Sequence, residues 1–198
     1  DIYTPVGDTE TDRPVFVLAF GGGFTEGSRR DPLVVSVAQS LARRGYVTAS
    51  IDYRFFESAP VTEDDADIAI IEAMYDMSTN VRNFLTAHNG TAGDSSTNTG
   101  ISSDVQGVFS ISGGLTDFLW IDANTAPIYA AHEEFDPTVP CRYAMGDAGF
   151  SLAGGCDMVQ IAQSYGVDAE LYLVPGANTH VGYSNAQVEE FIDGAAAF

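Results

Sequence analysis

Residues 15–20 are an unbroken apolar run, the pattern of a strand buried on both faces in a parallel sheet. Gly21, Gly22 and Gly23 end the run. Asp31-Pro32 then reads as an N-cap followed by proline at the first helical position. Val34, Val37, Ala38 and Leu41 follow with helical spacing. Arg43 and Arg44 suit the negative end of that helix, and Gly45 suits its stop. Residues 46–53 predict the next strand. A long helix is predicted over 64–88, with Ala73, Met77, Val81 and Leu85 on one face and Asn89-Gly90 at its end. Residues 91–104, rich in Gly, Ser, Thr, Asn and Asp, predict a loop. Strands are predicted over 105–111, 128–132 and 169–174. Met158, Ile161, Ala162 and Tyr165 mark a helix stopped by Gly166. Ser184, with Gln187 three positions on, predicts a capping box for a last helix carrying Val188, Phe191 and Ile192. Strand alternates with helix, which predicts an α/β fold with a mostly parallel sheet flanked by helices. No repeat divides the chain, and a length of 198 residues suits a single domain over 1–198.

Composition narrows the function classes. Apolar residues make up 45% of the chain, with 12 Phe and 9 Tyr, which is globular rather than disordered. The net charge is -20, and all 8 basic residues are arginine. Nothing here would cover a phosphate backbone, so a nucleic-acid partner is not expected, and an anionic membrane surface would repel the chain. No apolar stretch approaches the ~18 residues of a spanning helix. Self-repulsion of this size keeps a protein soluble and is screened by salt, so a secreted or salt-adapted protein is expected. The opening at Asp1-Ile2-Tyr3-Thr4-Pro5 reads as a processed or trimmed N-terminus. Cys141 and Cys156 lie in a Gly-rich stretch. A disulfide between them is favoured, and two free buried thiols are the other reading. No further Cys or His lies close in sequence, so no metal is expected. Asn89-Gly90-Thr91 fits a glycosylation acceptor.

Candidate chemistry gathers at strand ends. Phe20-Gly21-Gly22-Gly23-Phe24, followed by Glu26-Gly27-Ser28, exposes successive backbone N–H groups that can hold an oxyanion. This segment resembles the oxyanion loop of the carboxylesterase/lipase family of α/β-hydrolases, with Phe20 where the usual His would stand. The resemblance implies that Gly22 and Gly23 supply the donors. Arg43-Arg44-Gly45-Tyr46 leading to Ile51-Asp52-Tyr53-Arg54 resembles the same family in the same order. So does His132-Glu133-Glu134-Phe135-Asp136-Pro137-Thr138-Val139-Pro140, where the match to the acid of the triad is Asp136, with Glu133 or Glu134 as substitutes should the loop shift. Tyr172-Leu173-Val174-Pro175-Gly176-Ala177-Asn178-Thr179-His180 resembles the last strand and the loop of the catalytic histidine, which implies His180. His88 and His132 have structural readings. A serine hydroxyl is a weak nucleophile until a base takes its proton, and a carboxylate fixes the tautomer of that base.

The resemblance breaks at the nucleophile. No Gly-x-Ser-x-Gly occurs in the chain. Residues 105–114 resemble the strand after the nucleophile elbow, so the central strand, the elbow and its helix have no counterpart. Three readings follow. Ser112, in Ser110-Ile111-Ser112-Gly113-Gly114, acts as the nucleophile with Gly113 joining the oxyanion hole; or the protein is a non-catalytic pseudo-hydrolase that binds; or the chain is a shortened form of a larger esterase. The expected activity is hydrolysis of a small-molecule or polymeric carboxylic ester through Ser112, Asp136 and His180, with no cofactor. Phe24, Phe55, Phe56 and Trp120 are candidates for an apolar acyl pocket, though aromatics in such places are more often core.

Overall fold

In the computed structural model the apolar run becomes strand β2 (Val15–Ala19). It pairs in parallel with β3 (Val47–Ile51), Val15 opposite Val47 through to Ala19 opposite Ile51. The structure describes residues 1–10, 13–56, 62, 64–73, 75–76, 105–147 and 149–198. The chain packs as two units, one of residues 1–59 and 68–104, the other of 60–67 and 105–198.

In the first unit, β1 (Ile2–Tyr3) adds antiparallel to β3, giving the order β1-β3-β2. Helix α1 (Pro32–Arg43) buries Val37, Ala38, Leu41 and Ala42, one face of its 3.6-residue repeat. Asp31 stands at its N-cap without a side-chain capping bond; its carboxylate instead accepts the Ser28 N–H at 3.0 Å. Gly45, at φ 94°, turns the chain out of the helix. Residues 64–73 are helical (α2), 68–73 belonging to this unit and 64–67 to the other, with Ala66, Ala69 and Ala73 buried. The remainder of the helix predicted over 64–88, its Asn89-Gly90 stop, the glycosylation triplet, His88 and the 91–104 loop lie outside the described residues, apart from helical residues 75–76.

In the second unit, β4 (Val108–Ile111), β6 (Ile128–Glu133) and β9 (Ala169–Val174) form an all-parallel sheet with β6 in the centre. All six residues of β6 are buried. Side chains alternate across the sheet. Ala130 and His132 face the start of α3 (Gly155–Ser164), while Tyr129 meets α4 (Asn185–Ala197) at Gly194. One face packs Ile128, Ala130 and Ala169 against Met158, Val159 and Ala162 of α3. On the other, Phe191 of α4 meets the rings of Phe109, Tyr172 and Tyr183. Ser184 and Gln187 form the full capping box of α4. A small antiparallel sheet, β5 (Gly114–Leu115), β8 (Ser151–Gly154) and β7 (Ala144–Met145), completes the unit, with a 3-10 turn at Phe118–Trp120. The strand predicted over 105–111 begins only at Val108. Among the described residues, no helix is long and apolar enough to cross a membrane.

Candidate active site

The turn after β2 is shaped by glycine. Gly22 has φ 130°, and a Cβ there would lie 2.1 Å from the Glu26 carbonyl oxygen. That carbonyl crowding leaves room only for hydrogen. The Gly22 carbonyl accepts the N–H groups of Thr25 and Glu26 at 3.1 and 3.2 Å. The N–H groups of Gly22 and Gly23 have no acceptor among the described residues. Behind the turn, Phe20 stacks on Tyr53 at 4.5 Å between centroids, and the Tyr53 hydroxyl donates to the Phe20 carbonyl at 2.8 Å. Burial, with the Asp31 charge behind it, pushes the Tyr53 phenol up to about 12. Phe24 and Phe55 pack around the same ring pair, and Phe56 donates its N–H to the Phe24 carbonyl. These three candidate pocket residues therefore belong to the first unit, and Trp120 to the second.

The loops after β6 and β9 lie side by side. Glu134 donates its N–H to the Val174 carbonyl and Phe135 to that of Ala177, while the Glu134 carboxylate accepts the Gly176 N–H at 2.8 Å. This lacing brings Asp136 to His180. His180 Nδ1 lies 2.7 Å from Asp136 Oδ2. Asp136 is only 3% exposed, and its Oδ1 accepts the N–H groups of Thr138 and Val139 at 2.8 and 3.0 Å. An ionised carboxylate can only accept, so the imidazole proton sits on Nδ1 and leaves Nε2 as a base. The His180 side chain keeps about a third of its surface open, at 31%.

His132 contrasts with it. It is fully buried; its Nδ1 accepts the Gly155 N–H at 3.1 Å and its Nε2 faces the Val139 carbonyl at 2.8 Å. Both nitrogens bond to main chain, and Nε2 also lies 3.7 Å from Asp136 Oδ2, so the buried ring packs behind that carboxylate. The Cys141–Cys156 disulfide ties the same two segments, joining the loop of Asp136 to the first turn of α3.

Ser112 has φ 47° at the end of β4 and is 2% exposed. Its N–H continues the sheet to the Ala131 carbonyl. Its Oγ donates to Glu133 Oε2 at 2.7 Å and lies 2.7 Å from the Tyr183 hydroxyl. Since the serine proton goes to the carboxylate, Tyr183 is the donor in the second bond. Chiefly because it is buried, the Tyr183 phenol is raised far above its ordinary range and stays protonated. Among the described residues, Ser112 makes no hydrogen bond to His180. Gly113 follows; a Cβ there would meet the Ser110 hydroxyl at 2.7 Å.

The structure thus brings Asp136 to His180, and Ser112 to Glu133 and Tyr183. Glu133 and Glu134, the alternative acids, are each bonded to a glycine N–H. Gly22 and Gly23 belong to the first unit and Ser112, Gly113, Asp136 and His180 to the second. Tyr183 carried no sequence signal, since it belongs to no motif and simply precedes the Ser184 cap.

The chain has an α/β-hydrolase fold; in its second unit the parallel strands β4, β6 and β9 carry α3 on one face and α4 on the other, with the loops of Asp136 and His180 at the strand ends. The solved structure of the esterase Est2 from the planctomycete Thermogutta terrifontis, with propionate bound, is similar to it at a TM-score of 0.75 and 18% identity, covering 100% of this chain and 86% of that one. The same esterase phosphorylated by paraoxon gives 0.69 at 18% identity, with 100% and 86% covered. Phosphonylated by sarin, it gives 0.68 at 18%, with 100% and 87% covered. In sequence, the BD-FAE family profile matches residues 1–74, the stretch that includes the glycine turn. No curated protein matches the sequence.

Proposed function

We propose that this protein hydrolyses carboxylic esters, with His180 as general base and Asp136 as its orienting acid. One observation carries the reading: a buried carboxylate, held by two main-chain N–H groups, accepts the Nδ1 proton of a partly open histidine at 2.7 Å. In that state Nε2 takes the proton of an attacking hydroxyl, the carboxylate stabilises the imidazolium, and the same nitrogen returns the proton to the leaving alkoxide. The N–H groups of Gly22 and Gly23, without an acceptor among the described residues, suit an oxyanion of the kind that forms between these steps. Similarity to an esterase that has been solved with propionate and after phosphorylation by paraoxon supports the class of substrate. Ser112 is the nucleophile in this reading. Its left-handed φ at a strand end, followed by Gly113, supports it. To attack, its hydroxyl must leave Glu133 and turn to His180.

That same bond to Glu133 favours a second reading, in which the protein binds an ester-like ligand without turning it over. A fluorophosphonate separates the two. The hydrolase reading expects a single covalent adduct, mapped by peptide sequencing to Ser112, together with turnover of a chromogenic ester. An adduct on another serine keeps the activity and removes Ser112. A folded sample with neither adduct nor turnover supports the binding reading.

We also infer residence outside the reducing cytosol, supported by the cystine. Recovery of the protein in the cytosol with both thiols free would exclude this.

A further inference from the structure

Glu133 is 1% exposed and sits at the last position of β6, three residues before Asp136. No Lys or Arg forms an ion pair with it among the described residues, so hydrogen bonds alone satisfy its buried oxygens. Its Oε2 accepts the Ser112 hydroxyl and its Oε1 accepts the Gly182 N–H, both at 2.7 Å. Tyr183, the next residue, donates to the same Ser112 oxygen at 2.7 Å. The segment just after His180 is therefore held at two consecutive residues, by the main chain at Gly182 and by the side chain at Tyr183.

That grip opposes a strain. Val181, between His180 and Gly182, has φ 49° and an exposed side chain. A β-branched residue in the left-handed region is unfavourable and persists only where its surroundings over-determine it. Gly182 adds to the constraint, because a Cβ there would lie 2.4 Å from the Thr179 hydroxyl. The loop doubles back tightly across 179–182, and His180 rides on that turn.

We propose that Glu133 is a positioning residue for His180, fixing through the Gly182 N–H the strained turn that aims the imidazole at Asp136. The proposal rests on the role of His180 given above. One strand end then supplies both anchors of the histidine loop: Asp136 holds the ring and Glu133 holds the backbone two residues on. Small errors in placement of a general base are costly, since a shift on the order of 1 Å can cost about 10²-fold in rate.

The test compares Glu133→Ala with Glu133→Gln. Glutamine keeps an acceptor for Gly182, whereas alanine removes it. We expect kcat for ester hydrolysis to fall on the order of 10²-fold in Glu133→Ala with KM little changed, and to stay within about tenfold of the parent in Glu133→Gln. Proton NMR reads the geometry directly. The His180 Nδ1 proton, assigned by its loss in His180→Ala, should resonate far downfield in the parent and in Glu133→Gln and vanish in Glu133→Ala. A folded Glu133→Ala that keeps this resonance and its kcat overturns the proposal. Amide exchange needs no variant: a Gly182 amide exchanging at the rate of an open loop overturns it as well, and a protected one supports it. Should the parent turn over no ester, the function reading fails, while the resonance and the exchange rate still decide whether Glu133 holds the loop.

Discussion

In the turn after β2, glycines at φ 130° and 57° bend the chain, a stack of Phe20 and Tyr53 backs it, and one phenol touches a carbonyl. In the loops after β6 and β9, buried carboxylates take over. Asp136 collects two N–H groups and an imidazole, and Glu133 collects a hydroxyl and an N–H. The first region offers main-chain donors and holds them by shape. The second offers an imidazole and carboxylates and holds them by hydrogen bonds from main-chain N–H groups and a hydroxyl. A site that must receive an oxyanion suits the first construction, and one that must move a proton suits the second.

The contrast breaks most sharply at His180. His180→Ala should lower ester kcat/KM by about 10³-fold, or roughly 4 kcal/mol of barrier, while leaving the unfolding midpoint nearly unchanged. Undiminished turnover would take His180 out of the reaction. Next comes the staple of the same region. Replacing Cys141 and Cys156 by serine should cost roughly 3 kcal/mol in denaturant unfolding, from the loop that the bond closes; a shift near zero would show that hydrogen bonds alone define the Asp136 loop.

Shape is tested by Gly22→Ala, expected to cost about 2 kcal/mol because the φ is forbidden and the new Cβ meets a carbonyl. Gly23→Ala, where a Cβ meets nothing within 4 Å, should cost less; equal losses would mean that φ rather than crowding dominates. The smallest effect is Tyr53→Phe, about 1 kcal/mol for the lost bond to Phe20. Here pH gives the sign. The folded phenol, raised to about 12, holds its proton longer than the unfolded one. Stability is therefore full below pH ~10 and declines as pH climbs from ~10 toward ~12. Melting curves at about pH 9 and about pH 11 should show the parent's advantage over Tyr53→Phe shrinking; a constant gap would mean the phenol titrates alike in both states.

Much of the sheet was legible because burial on both faces writes an apolar run. The 169–174 strand was read at its observed bounds, and β2 and β6 within one residue. The β5-β8-β7 ribbon was not legible. Its strands are two to four residues of small or ordinary side chains, too short for a period to show. The loops around Asp136 and His180 could be named from their residues, although the two lie 44 positions apart. Glu133 could not be assigned, because an acid near another acid reads as a substitute for it. Only the fold reveals that its partners are Ser112 and a glycine N–H far along the chain.

Strand β6 carries His132 toward α3 and Glu133 toward the histidine loop; it is paired on both edges from Ile128 to Ala131 and with β9 along its whole length. Its side chains alternate, so inserting or deleting one residue would send the imidazole and the carboxylate to each other's sides and carry Asp136 with them. Neighbours on both sides leave the strand no free edge along which to slide and absorb the error. The segment from Ile128 to Asp136 is therefore far more constrained in its length than in its spelling.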